Sequence, residues 1–142
     1  EKTSIPTISN AMDVAKPSNF VRILEMYDQD LHWLRSTLSS VSVDDATTKE
    51  TISKTLSQHQ YLTDPHGAVA LHALELYLHA HPQQKGIFLE TAHPIKFPEV
   101  VHEITGQEIP IPENIAPLFA KEKRSIRLNA SFDSFKEYML TR

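Results

Sequence analysis

Thr91, His93 and Lys96 place a hydroxyl, an imidazole and an ammonium within six residues. They close a segment, Gly86–Thr91, whose Ile87-Phe88-Leu89 centre is an uninterrupted apolar run. That is the pattern of a strand buried on both faces. In open α/β sheets, ligands bind just beyond the carboxyl ends of strands. A hydroxyl there suits a single contact to a ring nitrogen or a phosphate. The plainer reading is that Thr91 satisfies a backbone group and Lys96 is solvated. The residue types alone leave both open.

Other chemistries are excluded or poorly supported. Histidine is over-used, with eight copies. His72 and His79 are seven apart, too far along a helix to chelate together, and His81 splays off their face. His102-Glu103-Ile104-Thr105-Gly106 has glycine where a zinc helix needs its second histidine. No third ligand completes a set, so no metal site is expected. There is no cysteine, hence no thiolate site, disulfide or cysteine nucleophile, which fits a reducing, cytoplasmic setting. No serine sits in a G-x-S-x-G elbow. The three glycines, Gly67, Gly86 and Gly106, are too scattered for a phosphate loop or a dinucleotide fingerprint.

The elements that must position these residues are mostly helices. Pro17-Ser18-Asn19 opens a first helix, with Ser18 or Asn19 as its cap. An apolar stripe then runs Phe20, Leu24, Tyr27, Leu31, Leu34, Leu38, and Met26 and Trp33 read as core. Asp44-Asp45 caps a second helix to about His59. Asp64-Pro65 starts a third, to about Ala80, with a carboxylate cap and proline in the first turn. Pro98–Thr105 is a fourth, ended by Gly106. Gln107–Pro117 reads as extended, and Ser131–Leu140 as a short closing helix. Four or five helices with one buried-type strand do not make a sheet. The mismatch predicts part of a larger α/β unit.

Thr91-Ala92-His93-Pro94-Ile95-Lys96-Phe97 resembles the T-A-H-P-x-K-F segment of threonine synthases, which are pyridoxal-phosphate enzymes of the tryptophan-synthase-β-like fold. Ser9-Asn10-Ala11-Met12-Asp13-Val14, with Pro17-Ser18-Asn19 and Arg22, is similar to another segment of that family. Val43–Thr48 and Asp64–Ala70 are similar to the region between. The likeness runs in order from about Thr7 to about Pro112, and the last thirty residues carry little of it.

The resemblance implies an α/β fold class, as the helix-rich C-terminal part of that fold with few strands of its own. Residues 1–142 would form a single segment of the catalytic region, a partial domain. It implies conversion of O-phosphohomoserine and water to threonine and phosphate, with pyridoxal phosphate as electron sink. Thr91 is then the hydroxyl on the pyridine nitrogen, and Ala11, Met12 and His93 lie beside the cofactor. The family's cofactor-anchoring lysine and glycine-rich phosphate loop are absent, and Lys96 is not that lysine. Taken alone, the chain is expected to be inactive. Its partners would be the missing N-terminal part and the small substrate, with self-association through an exposed sheet edge. The net charge of −4 argues against nucleic acid, and no apolar run reaches bilayer length. The alternative is a free-standing helical binding module.

Overall fold

A computed structural model of the chain describes residues 3–10 and 13–141. They divide into two compact units, one ending at Pro110 and the other beginning at Ile111. In chain order the helices are α1 (Phe20–Met26), α2 (Leu31–Thr37), α3 (Asp45–His59), α4 (Pro65–Ala80), α5 (Pro98–Thr105), α6 (Ala116–Phe119) and α7 (Phe132–Leu140). Pro94–Lys96 forms a 3₁₀ turn. There is no strand among the described residues.

The core of the first unit is small and belongs to α3, α4, the 3₁₀ turn and α5. Ile52, Ala68, Phe97 and Val101 are its buried apolar side chains. α3 turns an unusual face inward: Thr48, Thr51, Ile52 and Thr55. The three hydroxyls bond carbonyl oxygens one turn back, Asp44 at 2.8 Å, Thr47 at 2.8 Å and Thr51 at 2.7 Å, so none is buried unpaired. Opposite, the first turn of α4 buries Pro65, Gly67 and Ala68. Small residues let the two helices approach closely. Lys54–Glu75 at 3.2 Å ties α3 to α4, and Lys49–Glu103 at 2.5 Å ties α3 to α5. Such exposed pairs contribute about 0.2–1 kcal/mol each, so packing around Ile52 dominates.

Caps set the boundaries where the sequence predicts them. The Asp44 carboxylate accepts the Thr47 N–H at 2.7 Å and starts α3, and that bond lowers its pKa from the usual value. Its neighbour Asp45 has another use: its carboxylate accepts the Ile8 N–H at 3.2 Å and holds the N-terminal segment to α3. Gly106 ends α5 with φ of 66°, the left-handed conformation that favours glycine.

The predicted first helix is instead two. Asn19 is the cap position of α1 but makes no side-chain capping bond. After Met26, Asp28 and Gln29 take φ of 49° and 60°, and the Asp30 carboxylate then accepts the His32 and Trp33 N–H groups at 2.8 and 3.0 Å. Local capping chemistry at Asp30 wins over the apolar period that runs through it. In consequence Met26 and Trp33 are not core: they are 74% and 46% exposed. Trp33 meets Tyr27 edge-on at 4.9 Å.

In the second unit, the short α6 takes over only the last two residues of the stretch read as extended, with Pro117 in its first turn, where proline costs no hydrogen bond. Ser131 caps α7 by accepting the Ser134 N–H at 3.2 Å. No helix among the described residues is long and apolar enough to cross a membrane.

Ile52 sits at the centre of the α3–α4–α5 contact. Replacing it by alanine is expected to cost about 2–4 kcal/mol, read as a lowered urea midpoint, while Ser53→Ala on the exposed side of α3 stays within about 0.5 kcal/mol.

Candidate functional site

The Gly86–Thr91 segment is extended but has no ladder. Its backbone makes no bond to another backbone group among the described residues. It runs antiparallel along α4: Gly86 lies against Leu74, and Glu90 against Gly67. A side chain at either glycine would collide with that neighbour, so both are close-approach positions. Alternation does the rest. Gly86, Phe88 and Glu90 form the face toward α4, and Phe88 and Glu90 are half-buried. Ile87, Leu89 and Thr91 form the other face, with Ile87 88% and Leu89 70% exposed. The sequence predicts a strand buried on both faces. In this chain one face is covered and the other is open, because α4 supplies packing but no backbone partner.

The covered face ends in a cluster of ionisable groups. Asp64 is fully buried at the start of α4. Its Oδ1 accepts both the His66 backbone N–H, at 2.9 Å, and the His66 ring at Nδ1, at 2.8 Å. Its own backbone N–H donates to Glu90 Oε1 at 2.8 Å, across 26 residues of sequence. Burial opposes the Asp64 charge, but the bonds from Glu90 and His66 outweigh it and hold its pKa below the usual value. Glu90 shifts the other way: burial and the adjacent Asp64 carboxylate both push it up from 4.5 to about 7, against the pull of the Asp64 N–H. Four buried polar atoms here have no hydrogen-bond partner among the described residues: Thr63 Oγ1, Asp64 Oδ2, His66 Nε2 and Glu90 Oε2. The Phe97 ring lies 5.3 Å from the His66 ring and closes the cluster on one side.

The predicted site residues fall around this cluster. Thr91 follows Glu90 and is exposed, and its hydroxyl has no partner among the described residues. His93 is exposed too. Its Nδ1 accepts the Ile95 N–H at 3.1 Å and caps the 3₁₀ turn, which leads into α5. Lys96 is exposed at the end of that turn. Ala11 and Met12 lie outside the described residues. Thr7 and Asp13 are joined directly: the Asp13 carboxylate accepts the Thr7 hydroxyl at 2.6 Å and the Thr7 N–H at 3.0 Å. Those bonds lower the Asp13 pKa. Thr7, Asp13, Ala15 and His66 line one cleft, so the N-terminal segment and the start of α4 share a surface.

Sequence reasoning treats Asp64 as a helix cap and gives Glu90 no role. The signal was present in the alternation. An extended segment that points Phe88 inward points Glu90 the same way, and a carboxylate on a covered face needs a partner.

Residues 67–139 match the family model described as threonine synthase, C-terminal. The likeness therefore continues well beyond Pro112, where the motif reading ends. Threonine synthase of Serratia marcescens is 37% identical over 137 residues, covering 96% of this chain and 31% of that protein. Threonine synthase of Haemophilus influenzae is 38% identical over 144 residues, covering 98% and 32%. Among solved structures, threonine synthase from Escherichia coli matches with a TM-score of 0.80 and 36% identity, over 99% of this chain and 32% of that one. The PLP-bound threonine synthase from Brucella melitensis matches with a TM-score of 0.62 and 25% identity, over 96% and 34%. The chain thus spans about a third of the length of the relatives it matches. The likeness to these solved structures runs over nearly the whole of this chain, and the chain belongs to the family described as threonine synthase, C-terminal.

Proposed function

We propose that this chain is the C-terminal portion of a pyridoxal-phosphate-dependent threonine synthase, acting on O-phosphohomoserine and water to give threonine and phosphate. The observation that carries the reading is the outward face of the 86–91 segment: an unpartnered Thr91 hydroxyl in line with exposed Ile87 and Leu89. An unpaired extended backbone with an apolar face is a template for another strand. In this reading the N-terminal part supplies that strand, covers Ile87 and Leu89, and brings the cofactor to Thr91.

The donor set fits the cofactor on one side. A free hydroxyl at the end of an extended segment suits one hydrogen bond to a pyridine nitrogen, with the hydroxyl donating. When bound, the cofactor supplies an electron sink for carbanion chemistry. Thr91 orients the ring by that single bond. A neutral hydroxyl, unlike a carboxylate, does not favour protonation of the nitrogen, which moderates the sink. His93 acts through its cap of the 3₁₀ turn, fixing the loop that follows Thr91. Lys96 is not assigned to anchor the cofactor, and that group is placed in the N-terminal part.

In the full-length enzyme, Thr91→Val keeps the shape and removes the hydroxyl. Cofactor affinity and activity are expected to fall by about ten- to a hundredfold, the cost of one unsatisfied buried acceptor, and Thr91→Ser is expected to restore most of both. Cofactor titration by absorbance reads this, and a Thr91→Val enzyme with unchanged affinity would refute the assignment.

A further inference from the structure

We propose that Glu90 is a positioning residue for Thr91: as a neutral carboxylic acid it donates its proton to Asp64 Oδ2 and accepts the Asp64 N–H through Oε1, clamping the Thr91-bearing segment to the start of α4. The clamp stands on the geometry of this chain. What Thr91 does once positioned rests on the proposed function.

Three features of the cluster lead here. The Asp64 N–H to Glu90 Oε1 bond joins residues 26 apart and is the polar tie between the 86–91 segment and α4. Asp64 Oδ2 and Glu90 Oε2 are both buried with no donor, on neighbouring carboxyl groups. Two buried carboxylates left that way would repel and stay unsatisfied. One proton satisfies both oxygens. It resides on Glu90, because Asp64 already receives two N–H donors from His66 on its other oxygen and is the better carboxylate. Finally, the Glu90 carboxyl group occupies the space that a Cβ on Gly67 would take, so the acid is seated against the first turn of α4.

Asp64 faces Glu90 directly. Tyr61 faces it from the α3–α4 connection, and His66 reaches the pair through Asp64. The sign of the pH dependence follows from the raised Glu90 pKa. Its contribution to the fold is fully present below 4.5, the ordinary value, and is lost as pH rises through about 7. The Asp64 shift is of the opposite kind. Its contribution is present above 3.8 and lost as pH falls below that, outside the window of Glu90.

The test is amide hydrogen exchange in the full-length enzyme, corrected for intrinsic rates, on peptides spanning residues 60–68 and 86–93. In the wild type, protection of the Asp64 amide is expected to fall about tenfold between pH 6 and pH 8, the scale of one charge-affected hydrogen bond. Glu90→Gln keeps a donor toward Asp64 and an acceptor for its N–H at every pH, so its protection should be retained and flat. Glu90→Ala and Gly67→Ala should lose protection throughout. Equal, flat profiles for wild type and Glu90→Gln, or full protection in Glu90→Ala, would overturn the clamp. Positioning is read by cofactor affinity in a double-mutant cycle. If Glu90 acts through Thr91, the Glu90→Ala/Thr91→Val enzyme binds no more weakly than Thr91→Val. Fully additive losses would overturn the positioning role. A Thr91→Val enzyme of normal affinity would count against the Thr91 assignment instead, and the exchange profiles would still decide the clamp.

Discussion

The first unit depends on the first residue before α4. Asp64 has three uses at once. Its carboxylate caps the helix through the His66 N–H, orients the His66 ring through Nδ1, and leaves the Asp64 backbone N–H for Glu90. The fully buried carboxylate is stable only because its donors replace water. Each of those bonds therefore constrains another element. The cap fixes where α4 begins, the ring sets His66 against Phe97, and the backbone bond fixes the end of the 86–91 segment. Asp64 links all three to the α3–α4–α5 core, because Ala68 and Phe97, its near neighbours in the fold, are core residues.

The same anchoring explains how an apolar segment with no strand partner stays extended. Ile87 and Leu89 gain nothing from this chain, being largely exposed. The segment is held at its two ends instead, by Gly86 against Leu74 and Glu90 against Gly67. Alternation then presents Ile87, Leu89 and Thr91 on one surface. The side chain proposed for cofactor recognition lies on the open face, and the side chain proposed to position it lies on the opposite face.

Where local chemistry decides, the sequence is legible. Asp44, Asp64 with Pro65, Gly106 and Ser131 mark helix ends that the structure places at those positions, because a capping bond needs only residues a few positions away. Periodicity is legible as amphipathicity but not as burial. The stripe from Phe20 to Leu38 is real, yet Asp28 to Asp30 interrupt it, and Met26 and Trp33 are left exposed. The Asp64–Glu90 contact was hidden for a different reason. It spans 26 residues and links a residue that looked explained as a cap to one that looked incidental. The family motifs made Thr91 visible, but a motif names the residue at a site and not the residue behind it.

Much of the apolar sequence finds no core here: Ile5, Met26, Ile87, Leu89, Phe132 and Leu140 are each at least 70% exposed. Isolated surface apolar residues are ordinary, but an aligned pair on an unpaired extended backbone is not. In the proposed function, the rest of the enzyme covers that face. The clamp at Glu90 then has a reason to be internal to the chain: it can set the position of Thr91 before the opposing face is covered.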